Sequence, residues 1–108
     1  MSGFIPKKSW LMTAFEPLHT QIQKTIQTMA GTVILEDPSG YPFSASNLYH
    51  LNKDGEMLWQ AEKPEPAGLY NRVMLNTDGN SLSAYTVTGK DCEIDLYTGR
   101  LISQVKIM

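Results

Sequence analysis

Thr77-Asp78-Gly79-Asn80-Ser81-Leu82-Ser83-Ala84-Tyr85-Thr86-Val87-Thr88-Gly89-Lys90-Asp91 decides the fold class. A β-branched and aromatic run, Ser81 to Val87, is bracketed by two glycine-centred turn sequences, each with a small or polar residue before the Gly. Glycine takes the positive φ that tight reversals need, and Asp or Asn tolerates the same geometry. A strand between two hairpin turns is the reading, and its neighbours must run antiparallel to it.

Working outward, the same punctuation recurs. Thr32 to Glu36 ends at Asp37-Pro38-Ser39-Gly40. Asn47 to Leu51 and Glu56 to Gln60 flank Asn52-Lys53-Asp54-Gly55, and Arg72 to Asn76 leads into Thr77-Asp78-Gly79-Asn80. Tyr97-Thr98-Gly99-Arg100 separates the last two strands. About seven strands result, in two units spanning residues 32–62 and 71–108. Between them, residues 63–70 include Pro64 and Pro66, which exclude a central strand.

The N-terminal part, residues 1–31, reads differently. In residues 17–30 the apolar Leu18, Ile22, Ile26 and Met29 are spaced four, four and three, with glutamines and Lys24 elsewhere on the wheel. That spacing predicts an amphipathic helix, with Pro17 in its first turn and Gly31 as its C-terminal stop. Residues Trp10 to Phe15 fit either a preceding strand or an extra helical turn. The expected class is therefore mainly β (α+β): one helix, then an antiparallel meander, all in one domain.

The two β units resemble one another. Leu48 to Trp59 aligns with Cys92 to Ser103, placing Gly55 and Gly99 in the same position 44 residues apart. Both segments resemble the quinoprotein-type (PQQ-like) propeller repeat, in which an Asp, a Thr-Gly turn and a Trp four residues beyond the Gly recur. The first copy keeps Gly55 and Trp59, but has Asp54 at the Thr position and Leu51 at the Asp position. The second keeps Asp95, Thr98 and Gly99, but has Ser103 at the Trp position. The resemblance implies a structural Trp docked between neighbouring blades. It implies no quinone, and two units are too few to close a propeller.

Composition narrows the function classes. Apolar residues at 42% and charged residues at 19% belong to a folded chain. A net charge of −2, with the basic residues scattered, offers no footprint for nucleic acid. No apolar stretch approaches the roughly 20 residues that span a bilayer, and Glu16 and Pro17 interrupt the only signal-like run. With a single Cys92 and no secretory pattern, the expectation is a cytoplasmic protein without disulfides.

Catalytic, metal and cofactor motifs are missing. The loops after Asn52 and Asn76 look faintly like calcium loops, but His50 and Met74 stand at the first position and Ala61 and Tyr85 at the twelfth. His19, His50 and Cys92 have no paired ligand spacing. Cys92 lies between Asp91 and Glu93, which would raise a thiol pKa. Glu93 and Asp95 share one strand face, as most solvated acidic pairs do. No catalytic residue, cofactor site or metal site is assigned.

Aromatic residues remain, and Trp10, Phe15, Tyr49 and Trp59 are the candidates for a binding or interface surface. The leading expectation is a non-enzymatic interaction module that forms a homo-oligomer, a two-fold dimer, through a sheet face or edge. The alternative is a small-molecule binder or an unrecognised enzyme, with an aromatic pocket between helix and sheet. A specific protein partner is a third class.

Overall fold

The computed structural model describes residues 16–107. Eight strands follow in order: β1 (Ile22–Gln27), β2 (Gly31–Glu36), β3 (Leu48–Asn52), β4 (Met57–Gln60), β5 (Tyr70–Leu75), β6 (Ser81–Thr86), β7 (Lys90–Asp95) and β8 (Leu101–Lys106). They form two four-stranded antiparallel meanders, β1-β2-β3-β4 and β5-β6-β7-β8.

The expected helix is a strand, and no helix occurs among the described residues. The class is all-β, with eight strands rather than about seven. The physical reason lies in the spacing. Leu18, Ile22 and Ile26 are four apart, and four is a multiple of the strand period of two as well as close to one helical turn. Only Met29 spoke for the helix alone, and it lies in the β1–β2 turn, 95% exposed. The threonines at 20, 25 and 28 favour extended backbone. Gly31 is not a helix stop but the first residue of β2, opposite Asn52. A Cβ there would lie 1.9 Å from the Leu51 carbonyl oxygen, so only glycine lets β2 and β3 approach.

The hairpin turns are where glycine predicts them. Gly55, Gly79, Gly89 and Gly99 all have positive φ. Both inner pairings, β2 with β3 and β6 with β7, run in unbroken register. Each edge strand, in contrast, meets its neighbour through an irregularity: β1 near Ile22, β4 opposite His50–Leu51, β5 near Tyr70, and β8 opposite Glu93–Ile94. Bulges twist an edge and spoil it as a template for another strand.

The irregularity in β4 also decides which side chains enter the core. Trp59 pairs with His50 and Met57 with Leu51, so the two side chains point to opposite faces; strict alternation along β4 would put them on one. Trp59 goes inward and Met57 outward.

One apolar core lies between the sheets. Val33, Leu35, Leu48, Trp59 and Ala61 come from the first; Tyr70, Val73, Leu82, Ala84, Cys92, Ile94 and Leu96 from the second. The other face of the first sheet is also covered at Ile34 and Tyr49. There the buried Glu36 carboxylate gathers the backbone amides of Leu18 (2.6 Å), His19 (3.0 Å) and Thr20 (2.9 Å), together with the Tyr49 hydroxyl. The segment before β1 is thus tied down by one carboxylate.

Candidate functional site: the seam between the sheets

The seam is held by side chains that cross from one sheet to the other. Trp59 is the largest. Its indole N–H donates to the Leu96 carbonyl (2.9 Å), in the β7–β8 turn. Its ring lies against Gly99 so closely that a Cβ at Gly99 would sit 2.6 Å from the ring carbons. Gly99 also has φ +75°, so the turn and the close approach demand glycine together. Beside this contact the Glu62 amide donates to the Gly99 carbonyl (2.8 Å), and Glu62 Oε1 accepts the Leu101 amide (2.9 Å).

Asn47 forms a second crossing. Its Nδ2 donates to the Glu36 carbonyl (2.7 Å) and to the Tyr70 carbonyl (2.6 Å), while its Oδ1 accepts the Tyr70 amide (2.9 Å). The side chain is fully buried and fully used. Lys24 makes the third, its ammonium donating to the Val73 carbonyl (2.7 Å).

Where the seam opens, two depressions form. The first is an apolar cleft of about 430 Å³, lined by the turn residues Thr28, Met29 and Ala30, and by His50, Leu75 and Tyr97 among others. His50 is buried and packs edge-on against Trp59 at 5.2 Å. Thr28 Oγ1 accepts the Gly31 amide (3.0 Å) and shares a hydrogen bond with His50 Nε2 (2.8 Å), whose donor depends on the ring's tautomer. Nδ1 makes no hydrogen bond of ordinary geometry. Burial holds the His50 pKa below its ordinary value, against a weaker opposing pull from the Leu96 carbonyl. The imidazole is therefore kept neutral. At the mouth, Tyr97 is 70% exposed and its hydroxyl donates to Asn80 Oδ1 (2.8 Å).

The second depression is a groove of about 370 Å³ between the β1 and β5 edges, lined by Lys24 and Arg72 with Asn71, Met74, Ser83 and Tyr85. The Arg72 guanidinium stands over the Tyr85 ring, 5.6 Å from its centroid.

The residues singled out from sequence fall as follows. Trp10 and Phe15 lie outside the described residues, as does the open choice of strand or helical turn over 10–15. Tyr49 and Trp59 are both buried, on opposite faces of the first sheet, and the structure does not bring them together. With no helix among the described residues, the pocket between helix and sheet has no counterpart there; the openings described lie between two sheets. His19 packs against Tyr41 (4.8 Å), away from buried His50 and Cys92. No group of three His, Cys, Asp or Glu side chains among the described residues is placed to hold a metal. The Cys92 thiol is buried, and burial raises its pKa, so little of it is thiolate. Asp95 accepts the amides of Tyr97 (2.7 Å) and Thr98 (3.1 Å), which spends it on the turn.

Sequence reasoning missed Glu36, Asn47 and Arg72. The first two act through backbone groups 11–23 positions away in the chain, for which no local pattern exists. Arg72 becomes notable only because β1 and β5 lie side by side.

Among the described residues, no helix is long and apolar enough to cross a membrane. Residues 16–106 match the profile of a family described as Domain of unknown function (DUF7957), and the chain belongs to that family. No curated protein and no solved structure matches it.

Proposed function

We propose that this member of the family is a non-enzymatic binding module that associates with itself through the open end of its seam. The observation that carries the reading is the ring of exposed apolar side chains around the apolar cleft: Met29 at 95%, Leu75 at 40% and Tyr97 at 70% exposure. Apolar surface concentrated around a concavity marks a contact site, whereas single exposed side chains do not. The bulged edges turn the reading toward this face and away from strand pairing. A two-fold dimer, isologous at this end, is the simplest closed arrangement.

The non-catalytic part of the reading rests on how the reactive groups are spent. Glu36 and Asp95 are consumed by backbone amides, and His50 and Cys92 are buried. The Trp59 contact with Leu96 and Gly99 supports the likeness to propeller repeats, and supports it in its structural sense, as a lock between units without a quinone. A reducing, cytoplasmic setting fits the single buried cysteine.

Light scattering behind size exclusion tests the proposal. A mass twice that of one chain at high micromolar concentration, falling to one chain in Met29→Glu, supports it. A strictly monomeric mass for the unaltered chain overturns it. A second reading, small-molecule binding in the same cleft, draws on its volume and its apolar lining. A thermal-shift screen of metabolites separates the two, since a bound ligand stabilises the fold by mass action.

A further inference from the structure

The groove between β1 and β5 differs in kind from the apolar cleft, and nothing in the self-association reading uses it. Its lining holds two cations, Lys24 and Arg72, two side-chain amides, Gln23 and Asn71, and no acidic residue. In a chain of net charge −2 such a pairing is a local exception. Both cations are poised. Lys24 gives one ammonium proton to the Val73 carbonyl, which fixes the amine on the wall and leaves two protons free. Arg72 makes no hydrogen bond or ion pair among the described residues; its planar head is held only by the face of Tyr85. The acid nearest in register is Asp91, which pairs with Tyr85 from β7, one strand further from Arg72, and it does not line the groove.

We infer that this groove is a binding site for a small organic carboxylate. A guanidinium fork beside an ammonium suits a planar oxyanion, because the fork bonds both oxygens while the amine supplies a point charge. The remaining walls are Leu35, Val73, Met74, Ser83 and Tyr85; of these Met74 is the most open, and it and the Tyr85 ring favour an apolar body on the ligand over a bare inorganic ion. The volume, about 370 Å³, falls at the small end of the range for ligand sites.

Benzoate is the probe, with benzamide as its neutral counterpart and inorganic phosphate as the bare anion. Amide chemical shifts of the isotope-labelled chain are followed through titration. The expected result is a saturable shift from benzoate centred on residues 23–24, 71–74 and 83–85, with benzamide and phosphate far weaker. Arg72→Gln is expected to weaken benzoate binding roughly tenfold or more. Arg72 is exposed, so this variant keeps the fold, and an unchanged spectrum elsewhere checks that. Absence of a saturable benzoate shift overturns the inference. So does equal binding of benzamide or of phosphate, or benzoate binding that Arg72→Gln leaves unchanged. None of these outcomes bears on self-association, which the mass measurement reads separately.

Discussion

Replacing Gly99 by Ala places a methyl group 2.6 Å from the Trp59 ring, in a residue whose φ is +75°. Two costs follow. The left-handed backbone disfavours any L side chain by roughly 1–2 kcal/mol. The overlap with the indole forces the ring from its seat, at roughly 1–3 kcal/mol for an overpacked core. Together Gly99→Ala should cost about 2–5 kcal/mol. Trp59→Ala removes a side chain only 7% exposed and strands the Leu96 carbonyl, and should cost about 3–5 kcal/mol. The informative quantity is the double variant. Once Trp59 is Ala the new methyl meets nothing large, so only the backbone cost of Gly99→Ala remains. The two changes should fall short of additivity by about 1–3 kcal/mol. Urea unfolding monitored by far-ultraviolet circular dichroism measures all four proteins on one scale, whereas tryptophan fluorescence would be changed by the substitution itself. Coupling below about 0.5 kcal/mol, the ordinary scatter of independent sites, would refute the contact between Trp59 and Gly99.

Four further outcomes follow from the same contacts. Glu36→Gln keeps the shape but offers an NH₂ group where Leu18 and Tyr49 donate, and should lower urea-unfolding stability by about 2–4 kcal/mol, with residues 18–20 losing amide protection from exchange. Asn47→Leu strands the Tyr70 amide and carbonyl in the seam, and should cost about 2–4 kcal/mol in the same assay. Acid should weaken the fold in two stages, read as melting temperature against pH. His50 has its folded pKa pushed below 6.5 chiefly by burial, so its contribution is complete above that pH and declines as pH falls beneath it. Glu36, where burial is outweighed by the Thr20, Tyr49, Leu18 and His19 hydrogen bonds, has a folded pKa below 4.5, so its contribution is lost only below that pH; His50→Gln should remove the upper stage and leave the lower. Cys92, buried and with a raised pKa, should react with a disulfide reagent at mildly alkaline pH only as fast as the chain opens, and rapid reaction of the folded protein would contradict its burial.

What was legible in the chain was its local punctuation. Asp54-Gly55, Asp78-Gly79 and Thr98-Gly99 announce reversals because a positive φ is a property of one residue, visible without knowing its neighbours. The strands between these turns follow almost automatically. The stretch from Leu18 to Met29 misleads because its apolar spacing satisfies two periods at once, and what selects the strand is the ladder with β2, from Lys24–Leu35 to Gln27–Thr32. Tertiary pairing overrides local preference there. Of the side chains that cross the seam, the sequence singles out only Trp59, as an aromatic candidate for a binding or interface surface. Its inward direction depends on the irregularity in β4, which no alternation shows. Asn47, Glu36 and the Lys24–Arg72 groove depend on which backbones and edges come together, and that is knowable only after both sheets are folded and packed.

Proton–proton Overhauser contacts of the Trp59 indole test the central claim most directly, since that ring is asserted to join the two sheets. Strong contacts to the Gly99 α-protons, which should be displaced by the ring current, and to Leu96 are the predicted result. A Gly99 α-proton pair at ordinary positions, with the indole in contact only with residues 22–60, would contradict it.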